Sequence, residues 1–184
     1  MLFFISLLIL VVIFILGIVL IYNNLVRLRN RVKNAWSQIE VQLKRRHDLI
    51  PNLVEVAKGY MAHECQTLEN VIKARTQATQ ATSIRNKAQA ENFLTATLRS
   101  LFAVVENYPN LKADAQMLSL QEELTNTENR ISFARQYYND EVTRFNTKIE
   151  TFPSNFIAGL FGFQKEELFE LEGQTQKEAP QVKF

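Results

Sequence analysis

The run MLFFISLLILVVIFILGIVLIY, residues 1–22, organises the rest of this chain because nearly all of its side chains are apolar. Ser6 and Gly17 are the exceptions, and the first charged side chain comes at Arg27. At about 1.5 Å of rise per residue, the run reaches about 33 Å as a helix, enough for a hydrocarbon core of about 30 Å. The sequence therefore predicts a transmembrane helix over residues 1–24.

The flanks of this run predict an uncleaved anchor rather than a removable signal peptide. The basic region that opens a signal peptide is missing, the run exceeds the roughly 7–15 apolar residues of a signal-peptide core, and no A-x-A site follows. Basic residues lie on the C-terminal side, at Arg27, Arg29, Arg31 and Lys33. The positive-inside rule then places the N-terminus outside the cell and the remaining chain in the cytoplasm.

The same four basic residues allow two interpretations. They can contact anionic lipid head groups, an attraction of up to about 1 kcal/mol per residue near the surface. They can instead act as a topology signal on a solvated helix face, which is sufficient to explain them. The sequence leaves both open.

Apolar residues at alternating spacings of three and four predict four amphipathic helices after the anchor. The predicted helices cover about residues 25–48, 51–79, 88–107 and 114–149. Because proline is unfavourable in a helix middle, Pro51 places a turn near residues 48–51, although a kinked continuous helix stays possible. Gly59 then falls inside the second helix, where a close approach of helices beside Trp36 would explain it.

Short connections between these helices predict an all-α fold: a transmembrane helix that continues into an antiparallel, up-down four-helix bundle with long helices. The fourth helix sustains its apolar seam for about four heptads. The predicted organisation is an anchor (1–24), a cytoplasmic bundle (25–150), an apolar membrane-proximal segment (151–163) and a polar, acidic tail (164–184) that is partly disordered. In this topology the end of the fourth helix lies close to the bilayer.

Composition and motifs exclude several functional classes. Five Gly, four Pro and one Cys among 184 residues exclude Gly/Pro-rich chains and disulfide frameworks. His47 and His63 lack the Glu-x-x-His spacing of di-iron bundles, and no phosphate-binding or hydrolase motif occurs. A net charge of +2 is too small for a general nucleic-acid binder. We expect no catalytic residue, no metal and no cofactor.

A polar layer is predicted inside the bundle at Arg45 and Arg46. Antiparallel pairing of the first and fourth helices places residue 46 opposite Thr127, with Glu123 and Glu128 close by. Such a layer costs stability but fixes the register of the helices. The alternative is that both sets face water and do not meet.

The segment NFIAGLFGF, residues 155–163, is apolar and follows the fourth helix directly. It can enter the membrane interface, or it can cap the open end of the bundle. The sequence favours neither interpretation. The candidate membrane-interface residues are Phe156, Ile157, Leu160, Phe161 and Phe163.

Short motifs along the chain resemble a known family. They are YNNLVRLRN (22–30), NAWSQIEVQLKRR (34–46), DLIPNLV (48–54), LQEEL (120–124), TENRI (127–131), YN (138–139) and FPSN (152–155). In this order they resemble the LemA family of bacterial membrane proteins, over about residues 22–169. The resemblance implies a single-pass protein of the bacterial inner membrane with a cytoplasmic helical bundle and no established enzyme activity. It also implies links to magnetosome membrane formation and to membrane zinc metallopeptidases.

These features favour a membrane-anchored, non-catalytic scaffold or adaptor that self-associates through its helices. The expected partners are the lipid bilayer, a second copy of the chain and a membrane protein. Two alternatives stay open. One is a membrane-shaping protein that uses the anchor and the Phe-rich segment, and the other is a regulatory subunit of a membrane protease or transporter.

Overall fold

Six helices make up the fold, and the part of the chain that the structure describes contains no strand. The structure is a computed structural model that describes residues 1–61 and 63–169. Its helices are α1 (Leu2–Lys58), α2 (Cys65–Gln80), α3 (Ile84–Val105), α4 (Pro109–Lys112), α5 (Ala115–Glu150) and α6 (Ser154–Leu160). The predicted all-α class is confirmed. The predicted disorder of the acidic tail falls mostly on residues 170–184, which lie outside the described residues.

Helix α1 continues without interruption through Pro51 for 57 residues, so the predicted turn at residues 48–51 is wrong. Proline lacks the N–H that would bond the carbonyl of His47, four residues earlier. That carbonyl instead accepts a hydrogen bond of 2.7 Å from Nε of Arg75 on α2. A donor distant in sequence therefore satisfies the acceptor that Pro51 leaves free.

The chain turns at Gly59 and Tyr60, directly after α1. The backbone N–H groups of Tyr60 and Met61 both bond the carbonyl of Ala57, which closes the last turn of the helix. A Cβ added to Gly59 would meet the Val56 carbonyl at 3.5 Å, an ordinary contact, and nothing on another helix within 4 Å. The close helix approach expected at Gly59 is therefore wrong.

The chain divides into two compact units. Unit 1 comprises Met1–Glu40 and Ser132–Leu168, and unit 2 comprises Val41–Ile131 with Phe169 as its remaining described residue. Both α1 and α5 contribute one part of their length to each unit. The two units are described separately below.

Unit 2 has an apolar core that four helices share. Contributions come from the end of α1, from α2, from α3 and from the beginning of α5. Two further core residues come from outside these four helices, Met61 from the connection after α1 and Leu111 from the short helix α4. The core residues on the four helices are Ile50, Leu53, Val54, Ala57, Leu68, Val71, Ala74, Ala78, Leu94, Leu98, Leu101, Val105, Met117, Leu120 and Leu124.

The beginning of α5 is fixed by an N-cap. Asp114 Oδ1 accepts the backbone N–H groups of Gln116 and Met117 at 2.9 and 3.0 Å. Tyr60 donates its hydroxyl to the other carboxylate oxygen of Asp114 at 3.1 Å. The backbone N–H of Met117, followed by the smaller contributions of Tyr60 and Gln116, lowers the pKa of Asp114 despite a partial opposing effect of desolvation.

Unit 1 pairs the first forty residues of α1 with the second half of α5. The buried side chains on α1 are Leu25, Val32, Ala35 and Ile39, and those on α5 include Tyr138, Val142 and Phe145. Trp36 packs on Tyr138, with ring centroids 5.3 Å apart. Among the described helices, α1 is long and apolar enough to cross a membrane, with mean hydropathy 3.5 in its apolar window.

Residues 163–168, which we call the strap, have no regular secondary structure and are hydrogen-bonded to α5 within unit 1. Asn146 makes two hydrogen bonds to the main chain of Glu166, donating to its carbonyl at 2.9 Å and accepting its N–H at 3.0 Å. Tyr138 donates its hydroxyl to the carbonyl of Glu167 at 2.8 Å. Burial raises the pKa of Tyr138 to about 12, which keeps the phenol protonated as a donor.

Candidate functional site

The structure brings both arginines of the predicted polar layer to acidic residues of α5. Arg45 Nη2 lies 3.4 Å from Glu123 Oε2, and Arg46 Nη1 lies 3.2 Å from Glu128 Oε2. The two pairs differ in environment. Arg45 and Glu123 are both about half exposed, so their attraction is screened and is worth at most about 1 kcal/mol. Arg46 is 4% exposed and belongs to a larger buried group.

That buried group, the charge cluster, consists of Arg46, His47, Glu91, Thr95 and Glu128. The carboxylate of Glu91 is 5% exposed and is shared, with Oε2 3.3 Å from Arg46 Nη1 and Oε1 2.7 Å from His47 Nε2. Arg46 Nη2 also donates to the Thr95 hydroxyl at 2.7 Å. The guanidinium therefore meets two carboxylates and a hydroxyl, which offsets the cost of removing its charge from water.

Sequence reasoning missed the α3 half of the charge cluster. Glu91 precedes Leu94, Leu98 and Leu101 at spacings of three, four and three, so it occupies a seam position of α3. The signal that could have found Glu91 is a charged residue at a seam position of α3, where the spacing calls for an apolar side chain.

Thr127, the residue predicted to lie opposite position 46, is buried at 1% exposure. Its hydroxyl donates to the backbone carbonyl of Glu123 at 2.8 Å, so this bond stays within α5. The hydroxyl that bonds Arg46 in the charge cluster belongs to Thr95 on α3.

A cleft of about 190 Å³ opens beside the charge cluster. It has a mixed surface, because Arg46 and Arg99 supply positive charge while Glu128 supplies negative charge. Both signs of charge are already present, so the lining gives no preference for an anion or a cation. The remaining lining residues are Thr95, Leu98, Phe102, Leu124, Thr125 and Asn129.

The basic residues after the apolar run divide into two groups. Arg27, Arg31 and Lys33 have exposed side chains. Arg29 is half-buried, and its guanidinium carbon lies 5.1 Å from the centre of the Phe163 ring. This cation–π contact ties the first residue of the strap to α1.

The apolar segment at residues 155–163 also divides into an inner and an outer set. Ile157 and Ala158 are buried with Leu25, and Phe163 packs against Tyr22 and Phe145, so these side chains contact protein. Of the five candidate interface residues, Ile157 and Phe163 are thus turned inward because α6 packs on α1. Phe156, Leu160 and Phe161 are exposed, as is Phe152, which sequence reasoning missed.

The described residues 1–61 and 63–169 hold no group of three or more His, Cys, Asp or Glu side chains placed to bind a metal ion. In unit 2 the charge cluster has His47 and Glu91 in contact, and its other carboxylate, Glu128, pairs with Arg46. Arg46 Nη1 also lies 3.3 Å from Glu91 Oε2, so the guanidinium contacts both carboxylates.

Comparison with known proteins places this helical architecture in a family. The model of the LemA family matches residues 35–184, which is most of the chain. The chain belongs to the LemA family. The match begins inside α1 and continues through α5 and α6.

Several relatives carry the LemA or a magnetosome name. Protein LemA of Metamycoplasma hominis is 30% identical, over 74% of this chain and 63% of its own length. Magnetosome protein MamQ 2 of Paramagnetospirillum magneticum is 26% identical, over 94% of this chain and 74% of its own. Magnetosome protein MamQ of Magnetospirillum gryphiswaldense is 24% identical, over 92% and 72%. This LemA-family chain therefore spans less than two thirds of the Metamycoplasma protein.

Family membership and the apolar part of α1 together identify a membrane-associated protein of the LemA type. The alignments with the two MamQ proteins cover more than nine tenths of the chain, and so extend beyond the LemA-family match at its N-terminal side. The likeness to these relatives thus reaches residues of the apolar helix.

Proposed function

We propose that this LemA-family protein is a non-catalytic scaffold tethered to the bacterial inner membrane, with its helical part in the cytoplasm and with contacts to a second copy of itself. The observation that carries the proposal is the continuity of α1. One helix contains the apolar run, the basic residues that follow it and the core positions of unit 2.

A continuous helix suits a tether because one element carries both the apolar run and buried core positions. Its 57 residues correspond to about 85 Å at 1.5 Å per residue, and the apolar run uses about 33 Å of that length. The part that follows within unit 1 is amphipathic, with Val32, Ala35 and Ile39 buried. Unit 1 therefore presents a folded surface directly after the apolar run.

The charge cluster supports a non-catalytic role, since its charged groups are engaged with one another. Glu91 binds both Arg46 and His47, and Arg46 also binds Glu128. A general base or nucleophile needs a free side towards a substrate. The cluster instead has the chemistry of a register-fixing polar layer.

Self-association is supported by exposed aromatic residues on α5. Phe133 is 72% exposed and Tyr137 is 43% exposed. Residues four apart lie on the same face of a helix, so these two rings form an apolar strip in unit 1. A second copy of the chain that brings the same strip would cover both.

Light scattering of the full chain in detergent tests this proposal. We expect a mass of at least two chains after correction for detergent, and we expect the Phe133→Ser/Tyr137→Ser variant to shift towards one chain. The control is Ser132→Ala, an exposed position on the same helix, which should keep the wild-type mass. A monomeric wild-type protein would remove self-association from the proposal.

Crosslinking in native membranes tests the scaffold role itself. Capture of the same membrane protein, in repeated experiments and through the helical part of the chain, would support a scaffold or a regulatory subunit. If residues after 25 crosslink to lipid and to no protein, the scaffold role is wrong.

Membrane shaping is a second candidate function, favoured by the exposed aromatic side chains of α6 and by the relatives that are named magnetosome proteins. Electron microscopy of liposomes reconstituted with the full chain distinguishes it. Tubes or small vesicles that depend on protein density support shaping, and unchanged liposomes contradict it.

A further inference from the structure

α6 and the residues that flank it carry four exposed, large apolar side chains, which we call the strip. Phe156 and Leu160 lie four residues apart on α6 and are 68% and 76% exposed. Phe152, before the helix, is 79% exposed and meets Phe156 edge to face with ring centroids 6.0 Å apart; Phe161, directly after the helix, is 51% exposed. Four exposed, large apolar side chains at one short helix are unusual in water and mark a contact site.

The inner face of α6 fixes where this strip lies. Ile157 and Ala158 are buried with Leu25, and Ile18 and Ile21 pack against the same cluster. These α1 residues belong to the last turns of the apolar run and to the first residues after it. The short helix is therefore placed beside the end of the segment that can cross a membrane.

Aromatic contacts add a second constraint on this position. Tyr22 packs on Phe161 with centroids 4.7 Å apart and on Phe163 with centroids 5.9 Å apart. Tyrosine is enriched where a transmembrane helix leaves the hydrocarbon. The first charge, Arg27, follows Tyr22 by five residues, about 7.5 Å along the helix. This distance is comparable to the thickness of one interfacial region.

After α6 the chain turns away from the exposed strip and packs against protein again. Gly162 has a positive φ of 68°, which glycine adopts without strain. The N–H of Gly162 bonds the carbonyl of Gly159, and the N–H of Phe163 bonds the carbonyl of Ala158 at 2.9 Å, the pattern of a Schellman motif. Phe163 then packs on Phe145, so the strip ends where the strap begins.

We propose that α6 lies in the lipid interface and is a second membrane contact, with Phe152, Phe156, Leu160 and Phe161 inserted among the acyl chains. Residues 151–164 contain no charged side chain, so the whole segment can approach lipid without burying a charge. Arg27, Arg31 and Lys33 are exposed nearby in sequence to the Tyr22 end of the contact and suit anionic head groups.

Lipid is the occupant that the structure favours because the strip is continuous with the apolar run. Ile18 and Ile21 pack against the cluster of Leu25, Ile157 and Ala158 and belong to the run that is long and apolar enough to cross a membrane. A bilayer that surrounds residues 1–22 reaches α6 without any further partner. The proposal does not depend on the scaffold function, since a protein with any task could use this contact.

Depth-dependent quenching tests the proposal on the full chain in liposomes. An environment-sensitive fluorophore is attached at Phe156→Cys, and separately at Leu160→Cys, in a Cys65→Ser background. The control is Phe93→Cys on α3, an apolar residue of comparable exposure at 53%. Lipids brominated near the top of the acyl chains should quench the two α6 labels several-fold more than the control label.

Two other outcomes of the quenching experiment would each overturn the proposal. Labels at positions 156 and 160 that are as exposed to an aqueous quencher as the control would overturn the proposal. Labels shielded from both water and brominated lipid would also overturn it, because a second copy or another protein would then cover the strip. Circular dichroism of each labelled variant shows whether the fold is retained. Two positions are labelled so that the test can still be made if one variant does not fold.

Discussion

The hydrogen bond from Arg75 to the carbonyl of His47 explains how α1 passes through Pro51, and it gives a sharp prediction. Arg75→Met keeps most of the aliphatic stem but removes the donor. The carbonyl then has neither a helix N–H nor a side-chain partner, because residue 51 is proline.

The expected loss of stability follows from the environment of this bond. A hydrogen bond that involves a charged group is worth about 1.5–3 kcal/mol. Because Arg75 is half-buried, water can partly replace the lost hydrogen bond to the His47 carbonyl. We therefore expect the free energy of unfolding to fall by about 1–2 kcal/mol. For a chain of this size the melting temperature falls by about 2–4 °C per kcal/mol.

A double-mutant cycle isolates the mechanism. Pro51→Ala supplies the missing backbone N–H to the His47 carbonyl, so this variant should be more stable than the wild type. In that background Arg75→Met should cost less, with a coupling energy of about 1 kcal/mol. The assay is thermal unfolding of the full chain in detergent, followed by circular dichroism.

The control is Arg85→Met, which makes the same chemical change at an exposed position near the start of α3. It should change stability by less than about 0.5 kcal/mol. If Arg75→Met has the same cost with proline and with alanine at position 51, the guanidinium does not compensate for the missing N–H, and the explanation of the continuous helix fails.

Three further predictions concern the charge cluster, the strap and the cap of α5. Glu91→Ala removes the buried one of the two carboxylates that pair with the Arg46 guanidinium and should cost about 3–5 kcal/mol in thermal unfolding. Glu123→Ala opens an exposed pair and should cost at most about 1 kcal/mol, and equal costs would contradict the assigned burial. Asn146→Ala removes two bonds to the main chain of Glu166 and should speed limited proteolysis of the strap, with Asn146→Asp, which keeps the acceptor, intermediate. Because the pKa of Asp114 is lowered in the fold, its stabilisation is complete above the unfolded-state pKa of about 3.9 and is lost as the pH falls through the lowered value. The difference in melting temperature between wild type and Asp114→Ala should thus be constant at neutral pH and shrink in acid, and a difference that persists unchanged at the lowest pH would be evidence against the cap.

The face of α5 was predictable from sequence because its seam is repeated many times. Met117, Ile131 and Phe145 are all buried as the heptad pattern requires, and so are the polar seam residues Thr127 and Glu141. A repeat of this length specifies which face of α5 is turned towards the neighbouring helices. An error of one or two residues in the predicted ends of the helix does not change which face is buried.

Features that depend on distant partners were not predictable in the same way. Pro51 is compatible with a helix here because Arg75 lies 24 positions later and supplies a donor, which no local pattern reveals. Glu91 has its partners, Arg46 and His47, on α1. The division of residues 155–163 into inner and outer sets depends on how α6 packs on α1, since all five candidates are similarly apolar.

Asn146 and Tyr138 contact the strap through main-chain atoms that every amino acid except proline possesses, the N–H and carbonyl of Glu166 and the carbonyl of Glu167. The strap is thus recognised by the course of its backbone at these two positions. Substitutions other than proline at residues 166 and 167 consequently leave all three hydrogen bonds possible, whereas loss of one amide and one phenol of α5 removes them.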